Sequence, residues 1–291
     1  AEANEAALKI VRKYQGRGRH GVVSALRSFH GRTLMSLAAT GQPEKHEPFQ
    51  PLPEGFRHVV WNDLDEFEKS LTPEVGGVIL EPVQGEGGVN PADIDYLQGV
   101  RHLCDERGLL LVLDEIQTGF GRTGRWFGFQ AAGISPDVVT MAKGIANGMP
   151  VGAIWARDEI AAAFVPGDHG STFAGQPLAL AAARATIAEL EAIDAPAAAV
   201  RIEAVLRAGL EPLSGVDHVR GRGLLLGVEL NDVGLAGRTA TDIARICLDH
   251  GLIVNGVTPT TLRLAPPFIL SDAQIAEAIN IIASVIGEGV S

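Results

Sequence analysis

The sequence predicts an α/β protein with a mostly parallel central sheet flanked by helices, and a smaller α+β part at its C-terminal end. The apolar run 109–113 is the length of a strand buried on both faces, and Asp114 and a glycine-rich loop follow it. Residues 137–144 repeat this pattern. Residues 91–108 carry apolar side chains at helical spacing and suit a crossover helix ahead of the first strand. Strands joined by crossover helices favour a parallel sheet.

The other elements follow from the same periodicities, in chain order. Before residue 190 we predict a helix at 2–14, a strand at 22–29, a proline-rich loop at 41–55, strands at 58–61 and 75–83 around a helix at 63–70, a strand at 151–156 and a helix at 177–192. After it we predict a helix at 196–212, a bent strand or strand pair at 218–230, a helix at 239–250, short strands at 252–255 and 261–267, and a helix at 271–286. Because the composition changes after the alanine-rich helix, we predict a large domain over 1–190 and a small domain over 191–291.

The composition excludes several classes of partner. With 46% hydrophobic and 20% charged residues, the 291-residue chain is typical of a soluble globular protein. A net charge of -11 argues against nucleic acid and anionic membranes, which require clustered basic residues. No apolar run approaches the roughly 20 residues of a membrane span. Cys104 and Cys247 fall in helical segments and indicate neither a disulfide framework nor a zinc site, so a cytoplasmic location and no metal are expected.

Two opposite charges are expected at one edge of the sheet. Asp114 and Lys143 each follow a predicted strand, and open α/β sheets bind ligands at the carboxyl ends of their strands. Taken alone, the pair favours a structural ion pair. A lysine for Schiff-base chemistry requires the same partial burial, since desolvation lowers its pKa and frees the amine. Pyridoxal phosphate (PLP) enzymes also need an acid beside the pyridine nitrogen.

The segment that begins at Asp114 carries a long, ordered motif. It reads Asp-Glu-Ile-Gln-Thr-Gly-Phe-Gly-Arg-Thr-Gly and is followed by Pro-Asp-Val-Val-Thr-Met-Ala-Lys-Gly, which contains Lys143. This combination resembles the signature of the class III aminotransferases, which are PLP enzymes of fold type I. The resemblance implies that Asp114 pairs with the pyridine nitrogen and that Lys143 forms the Schiff base. It also implies that Ile116 packs on one face of the ring and Gln117 approaches the phenolic oxygen.

The run Phe-His-Gly-Arg-Thr, which begins at Phe29, resembles a second motif of this family. Phe29 resembles the aromatic residue that stacks on the cofactor ring. Arg32 resembles the arginine that binds a substrate carboxylate, a task that suits a planar guanidinium because it can pair bidentately. Taken without the resemblance, residues 29–33 predict only a strand, a turn and a helix start, and His30 is expected to be a packed or surface histidine rather than a catalyst.

Two further motifs imply a second arginine and its partner. The segment Glu-Pro-Val-Gln-Gly-Glu-Gly-Gly resembles one in which a glutamate, here Glu86, pairs with a substrate-binding arginine and screens it when no second carboxylate is bound. Glu81 begins the same motif, and its role is left open. Arg263, within Leu-Arg-Leu-Ala-Pro-Pro, resembles the arginine that binds the α-carboxylate of glutamate. The alternative is an arginine that points to solvent from the polar face of a short strand.

Residues 169–177 resemble the family segment Gly-Ser-Thr-Phe-Gly/Ala-Gly-Asn-Pro, with Gln176 in place of the usual asparagine. In that segment the threonine, here Thr172, reaches the phosphate bound by the other subunit. The resemblance therefore implies a homodimer with shared active sites. The alternative is a simple Ser/Thr cap on the following helix.

The resemblance implies ping-pong transfer of an amino group from an ω-amino donor to 2-oxoglutarate, giving glutamate. The motifs around Phe29 and Arg263 together favour N-acetylornithine as the donor, in arginine biosynthesis; ornithine, succinylornithine, 4-aminobutyrate and lysine ε-amino donors are alternatives. The sequence begins at Ala1 in the middle of a segment that resembles a family motif. In relatives, the turn that precedes this point holds the cofactor phosphate, so either the chain is a fragment or the protein is truncated. The missing turn motivates one rival hypothesis, a catalytically silent relative; the other, a fold type I aminomutase, would keep Asp114 and Lys143 but not the ping-pong transfer.

Overall fold

The structure, a computed structural model, describes residues 1–287. Its α-helices are α1 (Glu2–Gln15), α2 (Leu34–Ala39), α3 (Pro43–His46), α4 (Leu64–Ser70), α5 (Ile94–Arg107), α6 (Asp158–Ala161), α7 (Pro177–Ala192), α8 (Ala195–Leu210), α9 (Asp232–Leu235), α10 (Ala240–Asp249) and α11 (Asp272–Gly287). Its strands are β1 (Gly21–Ala25), β2 (Phe56–Val59), β3 (Val75–Leu80), β4 (Val83–Gln84), β5 (Asn90–Pro91), β6 (Leu110–Asp114), β7 (Val138–Met141), β8 (Ala153–Ala156), β9 (Val216–Arg222), β10 (Leu225–Leu230), β11 (Asn255–Gly256) and β12 (Thr261–Leu264).

The chain forms two compact units. The first contains Ala1–Pro82, Ala92–Phe120 and Phe127–Glu191. The second contains the residues from Ala192 onward together with two short internal stretches, Val83–Pro91 and Gly121–Trp126. The predicted domains 1–190 and 191–291 place these two short stretches in the first domain, because the composition does not change where they begin and end. The domain assignment itself stays a prediction.

The first unit is built on a six-stranded sheet in the order β2-β1-β3-β6-β7-β8. Every neighbouring pair is parallel except β7 and β8, which are antiparallel. All five residues of β6 are buried, as its apolar run predicts. The fold class is therefore confirmed: a mostly parallel sheet with flanking helices.

Alternate residues of the central strands face two different apolar layers. Leu111 and Leu113 of β6 lie in a cluster with the buried face of α5, whereas Val112 lies with the buried face of α1. This alternation follows from the two-residue period of a strand. The buried positions of α1 include Ala3, Ala6, Ala7, Ile10 and Val11, which recur at the three- and four-residue spacing of one helical face.

The second unit has a four-stranded antiparallel sheet in the order β11-β12-β10-β9 and a two-stranded pairing of β4 with β5. The buried faces of α8, α10 and α11 and the apolar residues of the larger sheet form one core. The predicted α+β character is thus present, and residues 218–230 form a strand pair rather than a bent strand.

Several element boundaries differ from the predictions. The first strand ends at Ala25 rather than residue 29, and Arg27 beyond it has a positive φ of 65°, which is incompatible with a continuing strand. The loop predicted at 41–55 contains α3 and a 3₁₀-helix at Glu47–Phe49. A helix start is predicted after residues 29–33, and α2 begins there at Leu34, but its six residues carry no periodic signal from which its extent could be predicted. Within residues 1–287, no helix combines the length and apolar character needed to cross a membrane.

Candidate active site

Asp114 ends β6 at the carboxyl edge of the sheet, directly opposite Thr140 of β7. Its side chain is buried. The Oδ2 atom accepts a hydrogen bond from Asn4 Nδ2 at 2.8 Å and lies 2.8 Å from His30 Nδ1, and the Oδ1 atom accepts one from the Ile116 amide at 3.1 Å. A carboxylate offers about four acceptor positions. Three donors from the chain therefore leave Asp114 the capacity for one more N–H.

His30 and Asn4 are site residues that sequence reasoning missed. His30 is packed, as its pattern predicts, but its buried imidazole also contacts Asp114. Asn4 is fully buried on α1, and Nδ2 donates to the His30 carbonyl at 2.6 Å as well as to Asp114. A buried asparagine within the apolar face of α1 was the available signal, since buried amides require partners.

Lys143 follows β7 and begins a 3₁₀-helix at Lys143–Ala146. Its φ of 49° is in the left-handed region, an uncommon conformation for a lysine that is characteristic of functional sites. The expectation of a buried lysine is wrong for the single chain, because Lys143 is exposed. The reason is its place beyond the end of β7, next to Gly144, which is also exposed.

Ile116 and Gln117 lie half-buried in the turn after β6. The turn is fixed by Glu115, which accepts hydrogen bonds from the Gly128 amide at 3.0 Å, the Phe129 amide at 2.9 Å and the Thr118 hydroxyl. Burial raises the pKa of Glu115 to about 7, although these hydrogen bonds oppose the shift. The two residues assigned to the cofactor therefore lie on a turn with a rigid base.

Phe29 is half-buried, and its amide donates to Glu81 Oε2 at 3.1 Å. This contact gives Glu81, which is buried, a structural task in positioning Phe29. The exposed Arg32 places its guanidinium carbon 5.8 Å from the centroid of the Phe29 ring. The structure thus brings the predicted aromatic and the predicted carboxylate-binding arginine together.

In the second unit, Arg263 Nη1 donates to Glu86 Oε1 at 2.7 Å. The Arg263 side chain is only 14% exposed. The alternative of an arginine pointing into solvent is therefore wrong. The predicted pairing of these two residues is present.

Thr172 is exposed in a turn before α7, which begins at Pro177. The alternative of a Thr172 helix cap is therefore wrong. The segment before this turn is attached to α1: Lys13 pairs with Asp168, and Lys9 Nζ donates to the Asp168 carbonyl at 2.7 Å. A threonine held on an exposed turn is compatible with a role toward another molecule.

The residues of the first unit fit PLP. Asp114 has capacity for the pyridine N–H, and Lys143 supplies an amine after the neighbouring strand. The buried Asn4 Oδ1 and His30 Nε2 atoms have no hydrogen-bond partner within residues 1–287, so this polar cluster is not closed by the chain alone. The same residues contain no group of three or more His, Cys, Asp or Glu side chains placed to hold a metal.

A mostly parallel sheet with an aspartate and a lysine at the ends of adjacent strands fits a PLP-dependent enzyme, and comparison with known proteins places the chain further. The class III aminotransferase family model matches residues 1–286. The chain belongs to this family.

Curated relatives match nearly the whole chain. It is 45% identical over 291 residues to an acetylornithine aminotransferase of Corynebacterium efficiens, covering 99% of this chain and 70% of the relative. An acetylornithine aminotransferase of Methanocaldococcus jannaschii is 40% identical, with 99% and 73% covered. Among solved structures, an ornithine aminotransferase of Toxoplasma gondii with PLP at partial occupancy in its active site is 30% identical, with a TM-score of 0.91 and 99% and 70% covered.

Proposed function

We propose that the protein transfers the amino group of N-acetylornithine to 2-oxoglutarate, giving glutamate, as a step of arginine biosynthesis. The observation that carries this proposal is the ion pair between Arg263 and Glu86. The enzyme must accept two substrates in turn. Glutamate places an α-carboxylate on Arg263, whereas the ω-amino donor places none there, and Glu86 can then neutralise the arginine. The names of the curated relatives support the donor.

In this proposal the residues divide the work as follows. PLP supplies an electron sink when it is bound, because its protonated ring withdraws electrons from the reacting carbon. Asp114 would accept the pyridine N–H and is itself held by His30 and Asn4. Lys143 would hold the cofactor through its amine, and the same amine would move a proton to and from the donor carbon.

The other assigned residues bind and orient. Ile116 and Phe29 would contact the two faces of the cofactor ring, and Gln117 would bind its phenolic oxygen. Arg32 binds the carboxylate of the ω-amino donor, and Arg263 binds the α-carboxylate of glutamate after Glu86 turns away. Because the donor gives up its amino group and leaves as a carbonyl product before 2-oxoglutarate binds and takes that group, turnover is ping-pong.

We also propose a homodimer in which Thr172 of each subunit serves the phosphate of the other subunit's cofactor. The exposed turn that carries Thr172, and the exposed Phe173 beside it, support this assignment. Ornithine is the second candidate donor, because solved ornithine aminotransferases share the fold at 30% identity. The cytoplasmic location stays a prediction from the composition.

The test is the half-reaction with each donor alone. The PLP-loaded protein is mixed with N-acetylornithine, ornithine, succinylornithine or 4-aminobutyrate without 2-oxoglutarate, and the visible absorbance is followed. We expect N-acetylornithine to convert the spectrum with the highest second-order rate constant and 2-oxoglutarate to restore it. A higher rate constant with another donor would replace N-acetylornithine in the proposal, and no spectral change with any donor would refute transamination.

A further inference from the structure

Two arginines of the second unit flank one glycine in a single row of the sheet. In the strand register Gly227 of β10 is paired with Arg263 of β12 on one side and with Arg220 of β9 on the other. Residues paired across neighbouring strands project from the same face of a sheet. Arg263 and Arg220 therefore stand on the same face with a gap between them.

The loop that carries Glu86 fills this gap. A Cβ at Gly227 would lie 3.0 Å from Val89 Cβ and 3.2 Å from the Gly88 carbonyl oxygen, so a side chain at this position would press on the loop and glycine favours the close approach. Val89 is fully buried in a cluster with Val83 and Leu225. The loop 85–89 is thus packed on the sheet directly between the two arginines.

Arg220 holds the backbone of this loop. Its Nε and Nη2 atoms both donate to the Gly88 carbonyl oxygen, at 2.9 and 2.6 Å. The remaining guanidinium N–H groups go to Thr261 Oγ1 at 3.0 Å, Glu229 Oε2 at 2.8 Å and His218 Nε2 at 3.1 Å. All five donors of the guanidinium are used, and only arginine offers this planar set.

The partners of Arg220 are themselves fixed. Thr261 Oγ1 donates to Glu229 Oε2 at 2.7 Å and accepts from Thr258 Oγ1 at 2.7 Å. Although burial favours its neutral form, hydrogen bonds from Thr260, Thr261 and Arg220 lower the pKa of Glu229. The guanidinium therefore stands in a prearranged frame and cannot follow the loop if the loop moves.

On the other side of the gap, Arg263 contacts the same loop through a side chain. Its partner Glu86 lies two residues before Gly88, and its carboxylate is 35% exposed. The loop backbone is fixed at Gly88 by Arg220, and Asn90 Nδ2 donates to the Gly87 carbonyl at 2.9 Å. With the backbone held there, the Glu86 side chain is the part that can leave Arg263.

We propose that Arg220 is a positioning residue for substrate selection: it anchors the loop at Gly88 so that Glu86 is presented to Arg263. This inference rests on the proposed function, in which Arg263 takes the α-carboxylate of glutamate. Glu86 competes with that carboxylate for one guanidinium. A competitor that is held in place raises the concentration of substrate needed to displace it. Arg220 therefore sets how strongly Glu86 competes with the α-carboxylate of glutamate for Arg263.

The test variant is Arg220→Lys, which keeps the positive charge but loses the planar set of guanidinium N–H donors. We expect backbone amides of residues 85–89 to exchange hydrogen at least about tenfold faster, the equivalent of one charged hydrogen bond. In the half-reactions, kcat/KM for glutamate relative to the ω-amino donor should rise by roughly three- to tenfold, because a loosened Glu86 screens Arg263 less well. The rise should come from KM rather than kcat.

Arg207→Lys is the matched control. Arg207 of α8 is similarly buried and also donates to backbone carbonyls of β9, at Val219 (2.6 Å) and Gly221 (3.0 Å). It makes no hydrogen bond to residues 83–91 among those of the described chain. A general loosening of the sheet would appear in both variants, whereas anchoring of the loop should be lost in Arg220→Lys alone.

A double-mutant cycle with Glu86→Gln completes the experiment. If Arg220 acts through Glu86, Arg220→Lys should leave the substrate ratio of the Glu86→Gln protein unchanged. The inference is overturned by unchanged exchange at 85–89, by parallel losses for both substrates, or by a shift that persists without Glu86. If no donor is transaminated by the parent protein, the proposed function fails, and the exchange of the loop together with calorimetric binding of 2-oxoglutarate by the PLP-loaded variants still decides the role of Arg220.

Discussion

His30 Nδ1 lies 2.8 Å from Asp114 Oδ2, and both side chains are buried at the carboxyl edge of the sheet. Asn4 Nδ2 contacts the same oxygen, so one atom of Asp114 has two partners from different elements. Such contacts fix the rotamer of the carboxylate. The orientation of Asp114 is therefore set by residues that do not themselves contact the cofactor in our assignment.

The first prediction concerns this pair. His30→Phe removes the donor but retains an aromatic ring in the buried position. We expect both half-reactions to slow by roughly tenfold to a hundredfold, because one hydrogen bond to a charged group is worth about 1.5–3 kcal/mol. The dissociation constant for PLP, measured by equilibrium dialysis, should rise in the same variant.

Because Asp114 serves both substrates, the two losses should be equal. His102→Phe is the control, since His102 is an exposed histidine on α5 that pairs only with Glu106 among the described ion pairs. An unchanged PLP affinity in His30→Phe, or a loss confined to one substrate, would show that His30 does not position Asp114.

The second prediction tests the lysine. Lys143→Ala should abolish transamination, because no other amine takes its place as the covalent holder and proton carrier in the proposed mechanism. The exposed side chain makes the substitution inexpensive for folding. Thermal unfolding and sedimentation should therefore match the parent protein. Turnover retained in this variant would exclude Lys143 from the Schiff-base role.

The third prediction separates the two substrates. Arg263→Ala should lower kcat/KM for glutamate far more than for N-acetylornithine, because only glutamate places an α-carboxylate on Arg263. A lost charged pair predicts a difference of about tenfold or more. Steady-state kinetics with each substrate varied in turn would measure it. Equal losses for the two substrates would remove Arg263 from the α-carboxylate site.

The sequence predicted the elements whose signal is periodic. The buried strand before Asp114 and the alanine-rich helix α7 are where the sequence places them, since burial on one or two faces imposes a repeat. It predicted only the start of α2, because six residues show no repeat, and it missed the assignment of Val83–Pro91 to the second unit. Packing between segments that are distant in sequence determines short helices and unit boundaries of this kind, and the local pattern of residues contains no signal of that packing.

The same limit applies to the site. The motif around Asp114 led to the assigned cofactor residues, and the predicted contact between Glu86 and Arg263 is present. In contrast, the tasks of Asn4, His30 and Arg220 depend on contacts across 26 to 132 positions of the chain. The residues next to a single histidine or arginine in the sequence do not indicate which distant residue it will contact.

The last prediction concerns acid stability and the half-buried His58 of β2. Burial is the largest cause that lowers the pKa of His58, to about 4, and the nearby His46 adds to it, followed by a smaller effect of His30. The Nε2 atom contacts the Ala38 carbonyl at 3.1 Å, an interaction that opposes the shift without cancelling it. His58 is therefore neutral in the folded protein at pH 7.

The sign follows from proton uptake. In the unfolded chain His58 takes up a proton near its ordinary pKa of about 6.5, whereas in the folded protein it does so only near 4. Between these values the unfolded state binds more protons, so the free energy of unfolding falls as the pH is lowered. Protonation of His58 therefore lowers the free energy of unfolding by at most about 3 kcal/mol, and this loss is complete below about pH 4.

Glu115 acts in the opposite direction over an overlapping range. Its pKa is raised to about 7 in the folded protein, so between its ordinary value and 7 the folded state binds the extra proton and gains stability as the pH falls. The contributions of His58 and Glu115 therefore partly cancel in the parent protein. A comparison between two proteins that both contain Glu115 cancels its contribution.

His58→Gln provides that comparison, since glutamine retains an N–H donor for the Ala38 carbonyl but does not titrate. We expect the difference in unfolding free energy between parent and variant to change by up to about 3 kcal/mol between pH 7 and pH 4, in favour of the variant at the acid end. Urea unfolding at each pH measures it. A constant difference would mean that the folded and unfolded proteins protonate His58 alike, and that its burial does not keep it neutral.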